Sequence, residues 1–188
     1  SSLVVFKWPL FFSFTLHPIG IQMKIRIISL QKDFLRANNL CSSLRLSGLD
    51  TEIVDAVNGK ELLASVYFEH ASNSDYWFNR SHILSPGEVG CKLSHCKVLS
   101  DFLSKNQQSG SLCIFEDDIT LKIPQTELNT LSSYVASMKN PAVLHLGGLE
   151  GLKNTNRLLM YKSESINGLS IYRTSKITLR WLYRTCAY

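Results

Sequence analysis

A chain of 188 residues that is 45% hydrophobic and 10% aromatic has the length and apolar content for one domain with a real core, which excludes a globally disordered chain. The net charge of +5 is unevenly placed: residues 1–148 balance 13 Lys and Arg against 13 Asp and Glu, whereas residues 149–188 carry seven against two. No aromatic-interleaved basic strand is present, which argues against nucleic acid as a partner. Five cysteines without a CxxC pair argue against a zinc ribbon or a closed disulfide framework and for a reducing compartment.

Leu3 to Ile21 is apolar and aromatic but is interrupted by Lys7, Pro9, His17 and Pro18. Its unbroken apolar run falls short of the roughly 20 residues that a spanning helix needs, and no small-residue cleavage pattern follows it. Residues 1–22 are therefore expected to be an upstream, leader-like extension outside the fold, with Met23 as the natural start and one domain over residues 23–188. Lys24 to Leu30 reads as a buried, β-branched strand. Asp33 offers a helix N-cap, and Phe34, Ala37, Leu40, Cys41 and Leu44 recur at helical spacing until Gly48. Thr51 to Val57 alternates as a second strand and ends in the turn signal Asn58-Gly59. Strand, helix and strand in that order predict a parallel α/β sheet with a right-handed crossover.

Residues 60–84 show no clean period and are expected to be an excursion packed by Tyr67, Phe68, Tyr76, Trp77 and Phe78. Asn79-Arg80-Ser81 is a glycosylation sequon, relevant only to a secreted chain. Ser85-Pro86-Gly87-Glu88 is a helix start with Pro86 in the first turn and Glu88 closing a capping box. Val89, Leu93, Leu99, Phe102 and Leu103 are the predicted apolar face of that helix, which should run to about Lys105. On it Cys91 and His95 lie four apart, with Cys96 next. A metal can use that spacing if a further ligand comes from elsewhere, although a free cysteine is more simply a small hydrophobe. Leu128, Leu131, Val135 and Met138 predict a helix over 126–139. Ala142 to Leu146 reads as a buried strand with His145 as a core histidine, followed by a Gly147-Gly148 turn. Arg157 to Tyr161 and Ser170 to Arg173 are candidate short strands in the basic last segment. That segment is either a solvated face or an attraction for a phosphorylated ligand or an anionic membrane surface.

The run from Ser111 to Ile119 drives an apolar strand into three consecutive carboxylates, Glu116, Asp117 and Asp118. Adjacent acids repel, so a divalent cation, a basic partner or solvent must compensate them; a metal is the leading candidate. In open α/β sheets ligands sit beyond the carboxyl ends of the strands, where these residues would fall. The competing reading is an acidic cap of a turn in water.

Four blocks together resemble glycosyltransferase family 25, the bacterial lipopolysaccharide and lipooligosaccharide glycosyltransferases that include β-1,4-galactosyltransferases. They are the strand and helix from Lys24 to Gly48, Asp55-Ala56-Val57-Asn58-Gly59, the block Pro86-Gly87-Glu88-Val89-Gly90-Cys91-Lys92-Leu93-Ser94-His95, and Ile114-Phe115-Glu116-Asp117-Asp118-Ile119. Weaker echoes follow at Leu144 to Gly148 and at Thr185-Cys186-Ala187-Tyr188. The resemblance implies a GT-A type, Rossmann-like nucleotide-binding fold with a mostly parallel central sheet. It also implies transfer of a sugar, galactose foremost, from a UDP-sugar to a lipid-linked oligosaccharide acceptor. It makes Asp118 the ligand of Mn²⁺ or Mg²⁺, with Glu116 on the metal or its water shell and Glu116 and Asp117 at the donor. It also places Ser94 and His95 close to the nucleotide-sugar. Localisation would be cytoplasmic and peripheral at the inner membrane. A general base for the acceptor hydroxyl has no motif support, and Asp75, Glu150 and His145 are bare candidates. Family members continue past the Thr-x-Ala-Tyr element, so the chain is expected to be truncated and its fold incomplete, with an exposed hydrophobic edge around Trp181, Leu182 and Tyr183. Two other readings stand beside an active transferase: a remnant that binds nucleotide without turnover, and another metal-dependent enzyme such as a phosphohydrolase.

Overall fold

The computed structural model describes residues 2–7, 23–46, 48–73, 82–105, 111–119, 125–138, 142–145, 160–166 and 169–174. In chain order the elements are β1 (Ser2–Lys7), β2 (Lys24–Ser29), α1 (Phe34–Leu46), β3 (Asp50–Asp55), α2 (Ala64–Ala71), the short β4 (Ser72–Asn73) and β5 (His82–Ile83), α3 (Pro86–Ser104), β6 (Leu112–Glu116), α4 (Gln125–Ala136), β7 (Ala142–His145), β8 (Met160–Ile166) and β9 (Leu169–Thr174). They fall into two units, one over Met23–Thr120 and the other joining Ser1–Gln22 to Leu121–Tyr188.

The unit over Met23–Thr120 is built on a three-stranded sheet in the order β3-β2-β6, parallel throughout. β2 is its middle strand, and the alternation of its residues shows why: Ile25 and Ile27 are fully buried, while Lys24 and Arg26 are half-buried. Each buried isoleucine is worth roughly 1.5–3 kcal/mol. Arg26 stays on its own face by pairing across the sheet with Glu52 at 3.2 Å. α1 packs through Ala37, Cys41 and Leu44. It stops where the sequence says it should. Gly48 takes φ of 75°, its amide donates to Arg45 O at 2.9 Å, and Leu49 N donates to Leu44 O at 3.3 Å, the double closure of a Schellman motif.

Three expectations are corrected here. Asp33 does not cap α1: it ends a short 3-10 turn, Gln31–Asp33, and its carboxylate pairs instead with Arg36 at 3.2 Å. Residues 60–84 are not all irregular, because Ala64–Ala71 forms α2. Tyr67 of that helix donates its hydroxyl to Leu84 O at 2.7 Å over a small cluster of Ala71, Leu84 and Val89, so packing places a helix of only eight residues. The apolar face of α3 is also different. Its capping box is present as expected, with Ser85 N to Glu88 Oε2 at 2.7 Å and Glu88 N to Ser85 Oγ at 3.3 Å. Its buried residues, however, are Val89, Gly90, Ser94 and Val98, while Leu99 and Leu103 are 46% and 73% exposed. Small side chains let the helix approach its neighbours backbone to backbone; Val89 and Leu93 still pack inward, with Leu93 half-buried on the Ala71, Leu84 and Val89 cluster, and Leu99 and Leu103 face outward.

The second unit holds a four-stranded mixed sheet in the order β7-β1-β9-β8. β1 runs antiparallel to β7 and parallel to β9, and β8 and β9 form an antiparallel pair with a register irregularity between Lys162 and Glu164. Ser2–Lys7, read from sequence as part of an extension outside the fold, is thus paired as a strand between β7 and β9. α4 buries Leu128, Leu131 and Ser132, as its periodicity predicts. The architecture is α/β, with parallel pairing concentrated in one unit and mixed pairing in the other. The aromatics Tyr76, Trp77 and Phe78, the sequon at Asn79, the general-base candidates Asp75 and Glu150, and the terminal Trp181 to Tyr188 lie outside the described residues. Among the described residues no helix is long and apolar enough to cross a membrane.

Candidate functional site at the carboxyl edge of the parallel sheet

β2, β3 and β6 run in one direction, so their last residues, Ser29, Asp55 and Glu116, share one edge. α3 is fastened to this edge along two adjoining strips of its surface. Gly90, Ser94 and Lys97, at helical offsets of four and seven, meet the exit of β3. Ser94 Oγ accepts from Val57 N at 2.8 Å and donates to Gly90 O at 2.7 Å, and Lys97 Nζ donates to Asp55 O at 3.3 Å. Cys91 and His95, one residue further round, meet the end of β6: Cys91 Sγ lies 3.5 Å and His95 Nε2 3.3 Å from Glu116 Oε1.

The closeness on the β3 side is set by two glycines. A Cβ on Gly90 would come within 2.6 Å of Val57 O and 2.7 Å of Gly59 N, and one on Gly59 would run into Pro86 O. The turn at Asn58-Gly59 and the first turns of α3 are therefore in backbone contact. Asn58 finishes the turn, its side-chain oxygen accepting from Lys60 N at 3.2 Å and its amide nitrogen donating to Glu61 Oε1 at 2.6 Å.

The three carboxylates after β6 have three different surroundings. Glu116 is held by His95 and Cys91. Asp117 is tied back to the sheet: Ser29 Oγ donates to its Oδ2 at 2.6 Å and Arg36 Nη2 donates to its Oδ1 at 3.1 Å. Asp118 is exposed. Among the described residues the three do not converge as a common ligand set. A hard cation held by all three is therefore not what this turn offers. It offers one solvent-facing carboxylate on a braced turn, and that fits Mg²⁺ or Mn²⁺, which take few protein ligands beside phosphate oxygens and water. Ser94 is buried with its hydroxyl engaged on both sides, so it positions α3. Of the expected site residues, His95 and Glu116 are brought into contact, and Asp117 and Asp118 follow Glu116 in the turn. Ser29 and Arg36 were not foreseen, since neither belongs to a motif; only tertiary pairing over 88 and 81 residues reveals them.

Charge within the site is balanced in pairs. Hydrogen bonding to the Cys91 sulfur and to the Glu116 carboxylate raises the His95 pKa from 6.5 to about 9, against the opposing pull of burial. The His95 hydrogen bond in turn holds Glu116 below its ordinary value of 4.5. Burial pushes the Cys113 thiol up to about 12, as suits a cysteine that fills the core from β6. A raised His95 contributes stability that is complete below about 6.5 and is lost as pH climbs through about 9. A lowered Glu116 contributes stability that is complete above 4.5 and is lost as pH falls through its depressed value. The pair therefore adds most between pH 4.5 and 6.5. Both side chains are over a third exposed, so solvent screening keeps the effect small. In melts of the chelator-treated protein across pH, His95→Gln is expected to flatten the fall above pH 6.5; an unchanged profile would dissociate that fall from this pair.

The sequence profile of glycosyltransferase family 25 (LPS biosynthesis protein) matches residues 22–178, which takes in the edge site and β7, β8 and β9 of the second unit. A mouse (Mus musculus) protein named "Inactive glycosyltransferase 25 family member 3" is 29% identical over 106 residues, covering 53% of this chain and 17% of its own length. No solved structure matches the chain significantly.

Proposed function

The chain belongs to glycosyltransferase family 25, and from that premise we propose that it transfers a sugar, galactose foremost, from a UDP-sugar to a lipid-linked lipooligosaccharide or lipopolysaccharide acceptor, with Mn²⁺ or Mg²⁺ at the donor diphosphate. The observation that carries this reading is the placement of Glu116, Asp117 and Asp118 at the carboxyl end of a parallel β-strand, beside a helix fastened to the same edge. That is where open α/β sheets take nucleotides. Asp118 is the residue assigned to the cation, and Ser29 and Arg36 fix its turn through Asp117. When bound, the cation offsets charge that grows on the departing UDP. The basic residues of 149–188 favour an anionic membrane surface, consistent with a peripheral enzyme at the cytoplasmic face of the inner membrane.

One observation favours a second reading. The mouse relative is called inactive in its printed name, so a chain that binds nucleotide without turnover is the alternative.

The deciding experiment is a thermal melt with Mn²⁺ alone, UDP alone and both together. A ligand specific to the native state stabilises by about 2.7 kcal/mol at a hundredfold excess over Kd. The expected result is a shift that requires both ligands, and UDP-galactose turnover then separates the active enzyme from the remnant. Release of inorganic phosphate without sugar transfer would point to a phosphohydrolase. A clean melt indifferent to both ligands would overturn the nucleotide site.

A further inference from the structure

Cys91 and His95 sit on successive turns of one face of α3, and Glu116 reaches them from the end of β6. One ligating atom from each lies within 4.8 Å of the other two. The separations are informative. A tetrahedral zinc ion, with Zn–S of about 2.3 Å and Zn–N and Zn–O of about 2.0–2.1 Å, sets sulfur and oxygen about 3.5 Å apart and nitrogen and oxygen about 3.3 Å apart. Cys91 Sγ is 3.5 Å and His95 Nε2 is 3.3 Å from the same Glu116 oxygen. We propose that Cys91, His95 and Glu116 form a binding site for a borderline-soft divalent transition metal, Zn²⁺ foremost, with a fourth position open to water or a ligand oxygen.

The elements that carry these residues are already fixed without a metal. α3 is capped at its N-terminus and pinned through Ser94 to Val57, and Glu116 is the last residue of a strand paired along β2. Little reorganisation is needed on binding. His95 and Glu116 are each over a third exposed, so an ion can reach the site from solvent. Cys96, the neighbouring thiol, is exposed and is not in the group. The sulfur decides selectivity: thiolate with imidazole suits Zn²⁺ and Co²⁺, whereas Mg²⁺ and Mn²⁺ prefer oxygen alone. This site is therefore chemically distinct from the hard-cation role assigned to Asp118, and it does not rest on the sugar-transfer reading. On binding, the Cys91 thiol and, where it is protonated, the His95 imidazolium each give a proton to solvent, and the metal links α3 to β6 directly.

The test is a Co²⁺ titration of the full chain, stripped of metal, followed by visible absorption. Expected are one Co²⁺ per chain, a thiolate-to-cobalt charge-transfer band with the intense d–d bands of a tetrahedral ion, bleaching by equimolar Zn²⁺, and indifference to excess Mg²⁺. Cys91→Ser should lose the charge-transfer band and weaken Co²⁺ binding more than about 100-fold, since loss of outer-shell partners alone weakens binding about 10–100-fold. Cys96→Ser should keep the band and the affinity. If Cys91→Ser does not melt cooperatively, His95→Gln decides, with a retained band and weakened binding expected. Absence of the band in the parent chain, a band unchanged in Cys91→Ser, binding unchanged in His95→Gln, or displacement by Mg²⁺ as readily as by Zn²⁺ would each overturn the site.

Discussion

Gly90→Ala is expected to lower the melting temperature by roughly 6–12 °C, and Gly59→Ala to do the same, while Gly87→Ala in the same helix leaves it unchanged or slightly raised. The difference is steric. A methyl group on Gly90 meets Val57 O at 2.6 Å and Gly59 N at 2.7 Å, and one on Gly59 meets Pro86 O. All of these obstacles are backbone, which cannot swing aside as a flexible side chain can. Overpacking against backbone belongs at the upper end of the usual range, about 3 kcal/mol. Around Gly87 nothing lies within 4 Å, so alanine there gains at most about 1 kcal/mol of helix propensity. Thermal denaturation of the three variants checks the contrast. A Gly90→Ala chain that melts like the parent would mean that α3 and the Asn58-Gly59 turn are not in contact.

The second large effect is at the acidic turn, where neighbouring aspartates should fail in different ways. Asp118→Ala removes an exposed carboxylate. It should leave the melt without ligand unchanged, abolish the stabilisation that requires Mn²⁺ and UDP together, and lower any sugar transfer by on the order of 10²–10³, the usual cost of losing one charge-stabilising group. Asp117→Ala removes the acceptor of both the Ser29 hydroxyl and the Arg36 guanidinium. It should destabilise the chain by about 1–3 kcal/mol before any ligand is added. Measuring both variants with and without ligand separates metal binding from bracing of the turn. An Asp118→Ala chain that keeps the joint Mn²⁺ and UDP shift would remove Asp118 from the metal role.

Much of the fold was legible because its local signals agreed. The β2-α1-β3 order, the Gly48 stop and the Ser85 to Glu88 capping box each follow from residues a few positions apart. α2 is not legible because eight residues make little more than two turns, too short a stretch for a helical period to stand out, and it is placed by Tyr67 and Ala71 contacts. The α3 face was misjudged for a related reason. Leucines at helical spacing outweighed Gly90 and Ser94, yet the small residues are the ones that permit close approach. The acidic run at the end of β6 is legible in the sequence, but the partners of its three carboxylates are not. Their division among His95, Arg36 and solvent depends on which strand end and which helix turn come together.

The contacts that build the edge join residues 21, 37, 81 and 88 positions apart. Chain entropy must be spent on closing the loops of 81 and 88 residues before Asp117 can be held, whereas β2 meets β3 at a separation of 26 residues (Lys24 to Asp50) and His95 meets Glu116 at 21. Loop closure therefore weighs least on the strand-helix-strand unit and on the α3 to β6 contact, and most on the latch of Asp117 onto Ser29 and Arg36. During synthesis on the ribosome the edge cannot close until Asp117 has emerged, so every nascent chain passes through a state in which Ser29 and Arg36 are already made and the carboxylate that joins them is not.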